Sequence, residues 1–151
     1  MLPAFLFALA AASAGQAVPQ PECAGNPGPV RLNINVEGVR SADGLIAVTV
    51  YPDESRRFLA RRGSLYVGRV PARSPATHLC IYLPSTGIFA FGVYHDADGD
   101  RSFDRTGIGL PAEGFGFSNN PRLFLSIPSF RSVRLSVPRN NMSTTIRLRY
   151  R

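Results

Sequence analysis

The stretch Val30-Arg31-Leu32-Asn33-Ile34-Asn35-Val36 alternates apolar and polar residues with a period of two. Successive side chains of a β-strand point to opposite faces, so this alternation predicts a strand with one face in a core and the other in water. Similar runs lie at 45–51, 76–83, 88–94, 132–137 and 144–150, and weaker ones at 64–70 and 123–127.

Turn residues such as Asp43-Gly44 and Pro84-Ser85-Thr86-Gly87 separate these runs, and no long amphipathic helix accompanies them. About seven short strands in this arrangement predict an all-β fold, a single antiparallel β-sandwich of the immunoglobulin-like or transthyretin-like kind. Between two of the runs, Asp53 can cap one or two helical turns over 53–60, and Gly63 ends that segment.

An acidic cluster follows the run at 88–94. Four of the ten acidic residues of the chain, Asp96, Asp98, Asp100 and Asp104, stand at relative positions 1, 3, 5 and 9. Carboxylates this close repel one another, which favours a cation between them. Ca²⁺ takes six to eight oxygens at about 2.3–2.6 Å from carboxylates, carbonyls and water. The spacing therefore predicts a calcium loop in which these four side chains and the carbonyl of Ser102 coordinate the ion through oxygen.

The spacing differs from that of a helix–loop–helix calcium site. Glycine stands at position 4 of the loop rather than position 6, and position 12 is Gly107 instead of glutamate. It is similar to shorter calcium loops between strands. The alternative is a solvated acidic turn whose charges pair with Arg101 and Arg105.

A Gly-rich, aromatic stretch from 107 to 121 extends the acidic cluster into a connection of more than 20 residues, a length usual for functional or disordered loops. Six residues in and beside this connection are candidates for ligand binding: His95, Glu113, Phe115, Phe117, Asn119 and Asn120. Five of the six, all except Glu113, have a structural alternative. His95 can form hydrogen bonds within the loop, the two phenylalanines can seal the sandwich edge, and the asparagines can occupy turn positions. Glu113 is an extra metal ligand or a general base.

The N-terminus predicts export. An apolar run from Leu2 to Ala14, too short to span a bilayer, precedes small residues that suit cleavage. We expect a signal peptide at 1–17, a Pro/Gly-rich linker at 18–29 and the sandwich domain at 30–151, in a periplasmic or secreted protein with no transmembrane segment. Two cysteines in an oxidising compartment predict one disulfide, Cys23–Cys80.

The formal net charge is +7, and all 17 basic residues are arginine. Such a surface favours anionic partners, such as an envelope polymer or a glycan. The alternative is an arginine-biased composition with charges dispersed over solvent faces. No arginine run interleaved with aromatic residues indicates a nucleic-acid surface, and we predict no nucleic-acid partner.

One set of motifs resembles a known family. The residues His95-Asp96, Asp104, Gly109-Leu110-Pro111 and Gly114 to Asn120 resemble the bacterial secreted family catalogued as domain of unknown function 2141. The resemblance spans about residues 30–150 and implies a sandwich in the style of transthyretin-like and carboxypeptidase-regulatory-like domains. It implies no activity. Asp98 and Asp100 stand where that family commonly has Asn, and Arg101 where Gly is usual.

Together these features predict an exported, non-catalytic binding or accessory module of the cell envelope with a calcium-binding loop. A purely structural envelope protein is the first alternative. The second is a metal-assisted hydrolase acting on a glycan or peptide, in which Glu113 or His95 would meet the ion at an open coordination position.

Overall fold

A computed structural model describes residues 22–103, 112–123 and 127–150. Within them the chain forms eight strands and one short helix. In chain order these are β1 (Val30–Glu37), β2 (Leu45–Pro52), β3 (Tyr66–Pro71), β4 (Ala76–Leu83), β5 (Gly87–Asp96), β6 (Phe115–Phe117), α1 (Phe130–Val133), β7 (Arg134–Val137) and β8 (Met142–Arg147). The predicted all-β class is confirmed. The predicted signal peptide lies outside the described residues.

The strands form two sheets that pack as a sandwich. One sheet has the order β4-β1-β8, and the other has the order β3-β2-β5-β6 with β7 also pairing with β5. One pairing departs from the predicted antiparallel pattern, because β8 runs parallel to β1. The preceding strand β7 belongs to the other sheet, so no hairpin dictates the direction in which β8 joins β1.

The alternation in the sequence produces the core between the sheets. Leu32, Ile34 and Val36 of β1 are at most 1% exposed, whereas Asn33 between them is exposed. From the other sheet Ile46, Val48 and Val50 of β2 face them and are fully buried. These predicted inward positions are confirmed.

The five-stranded sheet is covered on its second face as well. A second buried cluster contains Tyr51, Ala90, Phe115, Phe117 and Val133, with Phe58, Phe103 and Phe130 packed against it. This cover comes from α1 and from the connections that carry Phe58, between β2 and β3, and Phe103, between β5 and β6. For this reason the outward positions of β2 and β5, both predicted from the sequence as alternating strands, are mostly apolar as well, whereas those of β1 are polar.

Three segments differ from their predictions. The run 132–137 is divided between the end of α1 and β7. The segment 53–60 forms successive turns instead of a helix, with i→i+3 hydrogen bonds that begin at Arg57 N–H to Glu54 O, 3.0 Å. Strand β6 arises within the Gly-rich stretch, where no strand was predicted. The weak strand at 123–127 falls mostly on 124–126, outside the described residues.

The predicted disulfide is present. Cys23 and Cys80 are bonded with their Cα atoms 4.7 Å apart. Beside the bond, Ala24 pairs with β4, because its N–H donates to Cys80 O at 2.9 Å and its carbonyl accepts from Tyr82 N–H at 3.1 Å. The segment before β1 is thereby fixed along the outer edge of β4.

Candidate metal centre

The acidic cluster begins at the last residue of a central strand. Asp96 ends β5, where it pairs with Leu45 at the start of β2. The turn before β2 packs directly on it: a Cβ added to Gly44, whose φ is +65°, would lie 2.0 Å from the Asp96 carbonyl oxygen. Only glycine fits this close approach, so the Asp43-Gly44 turn fixes the backbone from which the acidic loop departs.

The Asp96 carboxylate is fully buried and only half satisfied. Its Oδ2 accepts a hydrogen bond from the backbone N–H of Arg101 at 2.9 Å. Its Oδ1 is buried and has no hydrogen-bond partner among the residues that the structure describes. A buried carboxylate oxygen without a donor is costly, and an ion is one of the standard reasons why a folded protein tolerates it.

Two further carboxylates converge on Asp96. One oxygen from each of Asp96, Asp98 and Glu113 lies within 4.8 Å of the other two. Asp98 is exposed and Glu113 is half-buried. This acidic triad has the donor chemistry and the separation needed to hold a metal ion.

Strand pairing explains why Glu113 reaches the site from 17 positions along the chain. Strand β6 is antiparallel to β5 with Tyr94 opposite Phe115, and the N–H of His95 donates to Gly114 O at 2.8 Å. The same register continued by two residues sets Glu113 opposite Asp96. The sequence suggests Glu113 as an extra ligand. The pairing of β6 with β5, and not the acidic loop, therefore positions Glu113 beside Asp96.

The other predicted donors are placed differently. Asp100 is exposed and lies outside the triad. Its N–H donates to Asp98 Oδ1 at 3.1 Å, and its own Oδ1 accepts from Ser102 N–H at 2.7 Å. These are the local turns that short acidic side chains form with their own backbone. Ser102 is exposed as well, and Asp104 lies outside the described residues.

Comparison with known proteins establishes the family. A family model described as "Uncharacterized protein conserved in bacteria (DUF2141)" matches residues 34–146, most of the chain. The chain belongs to this family. No curated protein and no solved structure gives a significant match. The family resemblance drawn from the sequence is confirmed, while the likeness to transthyretin-like domains stays a prediction.

In this DUF2141 chain both ring nitrogens of His95 are engaged. Nε2 lies 2.8 Å from Asp43 O, and Nδ1 lies 2.8 Å from the Tyr150 hydroxyl. A carbonyl can only accept, so Nε2 carries the proton, and Nδ1 of the neutral ring accepts from Tyr150. The Tyr150 oxygen in turn accepts from Arg40 N–H at 3.2 Å. His95 thus joins the turn before β2 to Tyr150 near the end of the chain, so it forms hydrogen bonds as its alternative predicted, but outside the acidic loop instead of within it.

The DUF2141 loop turns through two residues with positive φ, Gly99 at +73° and Arg101 at +67°. For arginine this conformation is disfavoured by about 1–2 kcal/mol. The N–H of Arg101 bonds to Asp96, so the strained residue is the one that holds the buried carboxylate. Arg101 stands where the family usually has glycine, and the hydrogen bond to Asp96 stabilises it in this left-handed conformation.

Arg69 of β3 is a cation beside the triad that sequence reasoning did not identify. Its Nη2 lies 3.5 Å from Arg101 O. Burial raises the pKa of Tyr94, a hydrogen bond from Arg69 lowers it, and the charges of Asp96 and Glu113 raise it. The pKa of Tyr94 is therefore affected both by two carboxylates of the acidic triad and by Arg69. Nothing in the alternating pattern of 64–70 distinguishes Arg69 from a solvent-facing arginine.

The predicted stacking residues are in the second buried cluster. Phe115 is 5% exposed and Phe117 is 8% exposed, with their ring centroids 6.2 Å apart. Asn119 donates to Arg134 O at 2.8 Å, and Asn120 donates to Thr145 O at 2.8 Å. Both asparagines have positive φ. The four side chains thus occupy the sealing and turn positions given as their alternatives.

Proposed function

We propose that this DUF2141 protein is an exported, non-catalytic β-sandwich module whose acidic triad binds Ca²⁺. The observation that carries the proposal is the buried Asp96 carboxylate, which has one oxygen without a donor in the described part of the chain and stands within 4.8 Å of two further carboxylates. Repulsion among the three would be relieved by a cation, since opposite charges at about 4 Å attract by several kcal/mol at a protein surface.

The chemistry of the donors favours calcium. All three candidate side chains offer oxygen, the ligand atom preferred by hard cations, and the nearby imidazole has no free nitrogen. Calcium also tolerates irregular geometry and high coordination numbers, and a loop of short turns can offer several irregularly placed oxygens. Mg²⁺, in contrast, requires a near-ideal octahedron. Asp100, the Ser102 carbonyl and Asp104 are the proposed sources of further oxygens.

The role of the ion is to close the long connection between β5 and β6. Asp96 and Asp98 stand at its beginning and Glu113 at its end, so one ion would cross-link both ends. Export supports a weak site, because calcium sites of extracellular modules have Kd values of about 10⁻⁴–10⁻³ M. The disulfide is consistent with such a compartment.

A purely structural envelope protein is the second candidate, and the burial of Phe115 and Phe117 favours it. These rings stabilise the sheet instead of presenting an exposed aromatic patch. The two functions share the same fold and differ in whether the acidic loop holds an ion.

Isothermal titration of the chelator-treated protein with Ca²⁺ tests the proposal. We expect one ion per chain for the wild type and for Asp43→Asn, which removes one exposed acid outside the triad. Asp96→Ala combined with Glu113→Ala should abolish binding. If the wild type binds neither Ca²⁺ nor Mg²⁺, or if the double variant binds as the wild type does, the triad is not a metal site.

A further inference from the structure

The connection between β2 and β3, residues 53–65, is held in a fixed shape by two inward side chains. Phe58 packs edge-on against Tyr51, with centroids 5.3 Å apart, and against Phe117 at 6.0 Å. Arg57 Nε donates to Gly63 O at 2.9 Å and so ties the end of the connection to its middle. We call this segment the β2–β3 loop.

The outward side of the β2–β3 loop is basic with an aliphatic centre. Arg56, Leu59, Arg61 and Arg62 are all exposed, and Leu59 is 45% exposed. Leu59 and Arg62 adopt φ values of +56° and +59°, which side chains other than those of Asn and Asp rarely take. A leucine that is both exposed and held in an unfavourable backbone conformation points to a function for the loop.

The acids of this loop do not neutralise the outward arginines. Arg134 of β7 binds Asp53 through Nε and Nη2 at 2.6 and 2.7 Å and lowers the pKa of that carboxyl. Glu54 pairs with Arg57 at 3.5 Å.

That leaves three cations. Among the residues that the structure describes, Arg56, Arg61 and Arg62 take part in no ion pair. The outward side of the loop therefore presents three positive charges around one aliphatic side chain.

We propose that the β2–β3 loop docks on a membrane surface of anionic phospholipids, with Leu59 inserted at the boundary between headgroups and acyl chains and the three arginines on phosphates. Arginine suits phosphate because its planar guanidinium donates two parallel hydrogen bonds. The exposed leucine favours lipid over a soluble anionic polymer, since only a bilayer offers an apolar phase to receive it.

The docking surface is separate from the acidic triad. Strand β2 begins at Leu45, opposite Asp96, and ends at Pro52, directly before the loop. At about 3.3 Å per residue, the eight residues of β2 place the two sites roughly 25 Å apart. Each arginine near an anionic surface contributes about fivefold to partitioning, so three contribute on the order of 100-fold.

Co-sedimentation with vesicles tests this proposal. The wild type should bind phosphatidylcholine vesicles that contain phosphatidylglycerol, should bind pure phosphatidylcholine at least tenfold more weakly, and should lose most of its binding at high salt. Every protein is prepared as the same full chain, so the apolar N-terminal run contributes equally throughout, and each variant is first checked for a wild-type melting curve.

Three variants, tested on vesicles and on one soluble polyanion, separate the possible outcomes. Arg56→Gln, Arg61→Gln and Arg62→Gln together should weaken binding by tenfold or more. Arg73→Gln, Arg122→Gln and Arg139→Gln remove the same charge from exposed positions elsewhere and should weaken it by less than threefold. Leu59→Asn should weaken binding to vesicles but not to soluble dextran sulfate. Equal losses in the two triple variants would overturn the proposal, as would a Leu59→Asn protein that binds vesicles as tightly as the wild type.

Discussion

The backbone N–H of Arg101 donates to Asp96 Oδ2 at 2.9 Å, and this is the hydrogen bond of the Asp96 carboxylate in the described structure. The other oxygen of the same carboxylate is buried without a donor among the described residues, and the carboxylate forms a cluster with those of Asp98 and Glu113. A side chain that folding removes from water but leaves half satisfied is stabilised by whatever supplies the missing positive charge. In our account that is a calcium ion.

The effect of Asp96→Asn on the free energy of unfolding should depend on calcium and should have opposite signs in chelator and in calcium. In chelator, Asp96→Asn should be as stable as the wild type or up to about 1 kcal/mol more stable, because a buried charge is removed while the amide oxygen can still accept from Arg101. In calcium it should be less stable. Urea unfolding in both conditions measures the difference, and a variant that is less stable by the same amount in both would show that the carboxylate has a purely structural role.

Tyr66 predicts a specific loss of stability at alkaline pH. Burial raises the pKa of Tyr66 to about 12, and its hydroxyl is buried with no hydrogen-bond partner in the described ranges of the chain. The unfolded chain loses this proton near pH 10. Unfolding therefore releases a proton between about pH 10 and 12, so the contribution is intact below pH 10 and is lost as the pH rises. Tyr66→Phe should reduce this dependence and be neutral or slightly stabilising at pH 7, as measured by unfolding across that range.

The same substitution at Tyr150 should have the opposite effect on stability. Its hydroxyl donates to His95 and accepts from the backbone N–H of Arg40. Tyr150→Phe leaves a buried imidazole nitrogen without a donor and should destabilise the fold by about 1–3 kcal/mol. The two tyrosine variants serve as matched controls, and equal unfolding free energies for both would contradict the hydrogen-bond network described for His95.

The disulfide should provide a large part of the stability. Cys23 and Cys80 are separated by 57 positions, and closing a loop of that size is worth about 4 kcal/mol in the chain-entropy model. Cys23→Ser combined with Cys80→Ser should lower the melting temperature by roughly 15 °C. Intact mass before and after alkylation checks the bond itself, and two alkylated thiols in the unreduced protein would show that it does not form.

Much of the fold follows from local pattern alone. The alternation of Leu32, Ile34 and Val36 gives the buried face of β1, and the Asp43-Gly44 turn gives the start of β2. Strand β6 could not be found in this way, because Phe115 and Phe117 are only two apolar positions in a Gly-rich stretch and both sides of the strand are covered. Its existence depends on pairing with β5, a contact that local propensity does not encode.

The sequence predicts only part of the candidate site, because the rest of the site also depends on strand pairing. Asp96 and Asp98 are adjacent in the acidic run, so their spacing alone brings them together. Glu113 joins them only because β6 pairs with β5 in one register, and Arg69 approaches from β3. Residues brought to a site by sheet pairing leave no spacing signal in the sequence, whereas residues of one loop do.

The most direct test of the central claim is the thermal melt of the wild type, Glu113→Gln and Asp43→Asn in calcium and in chelator at matched ionic strength. Calcium at 100 times its Kd adds about 2.7 kcal/mol to the stability of the wild type. We predict a rise in melting temperature of roughly 5–10 °C for the wild type and Asp43→Asn, and a rise of less than half that for Glu113→Gln. If calcium shifts all three proteins equally or none of them, the triad does not hold the ion and the account is contradicted.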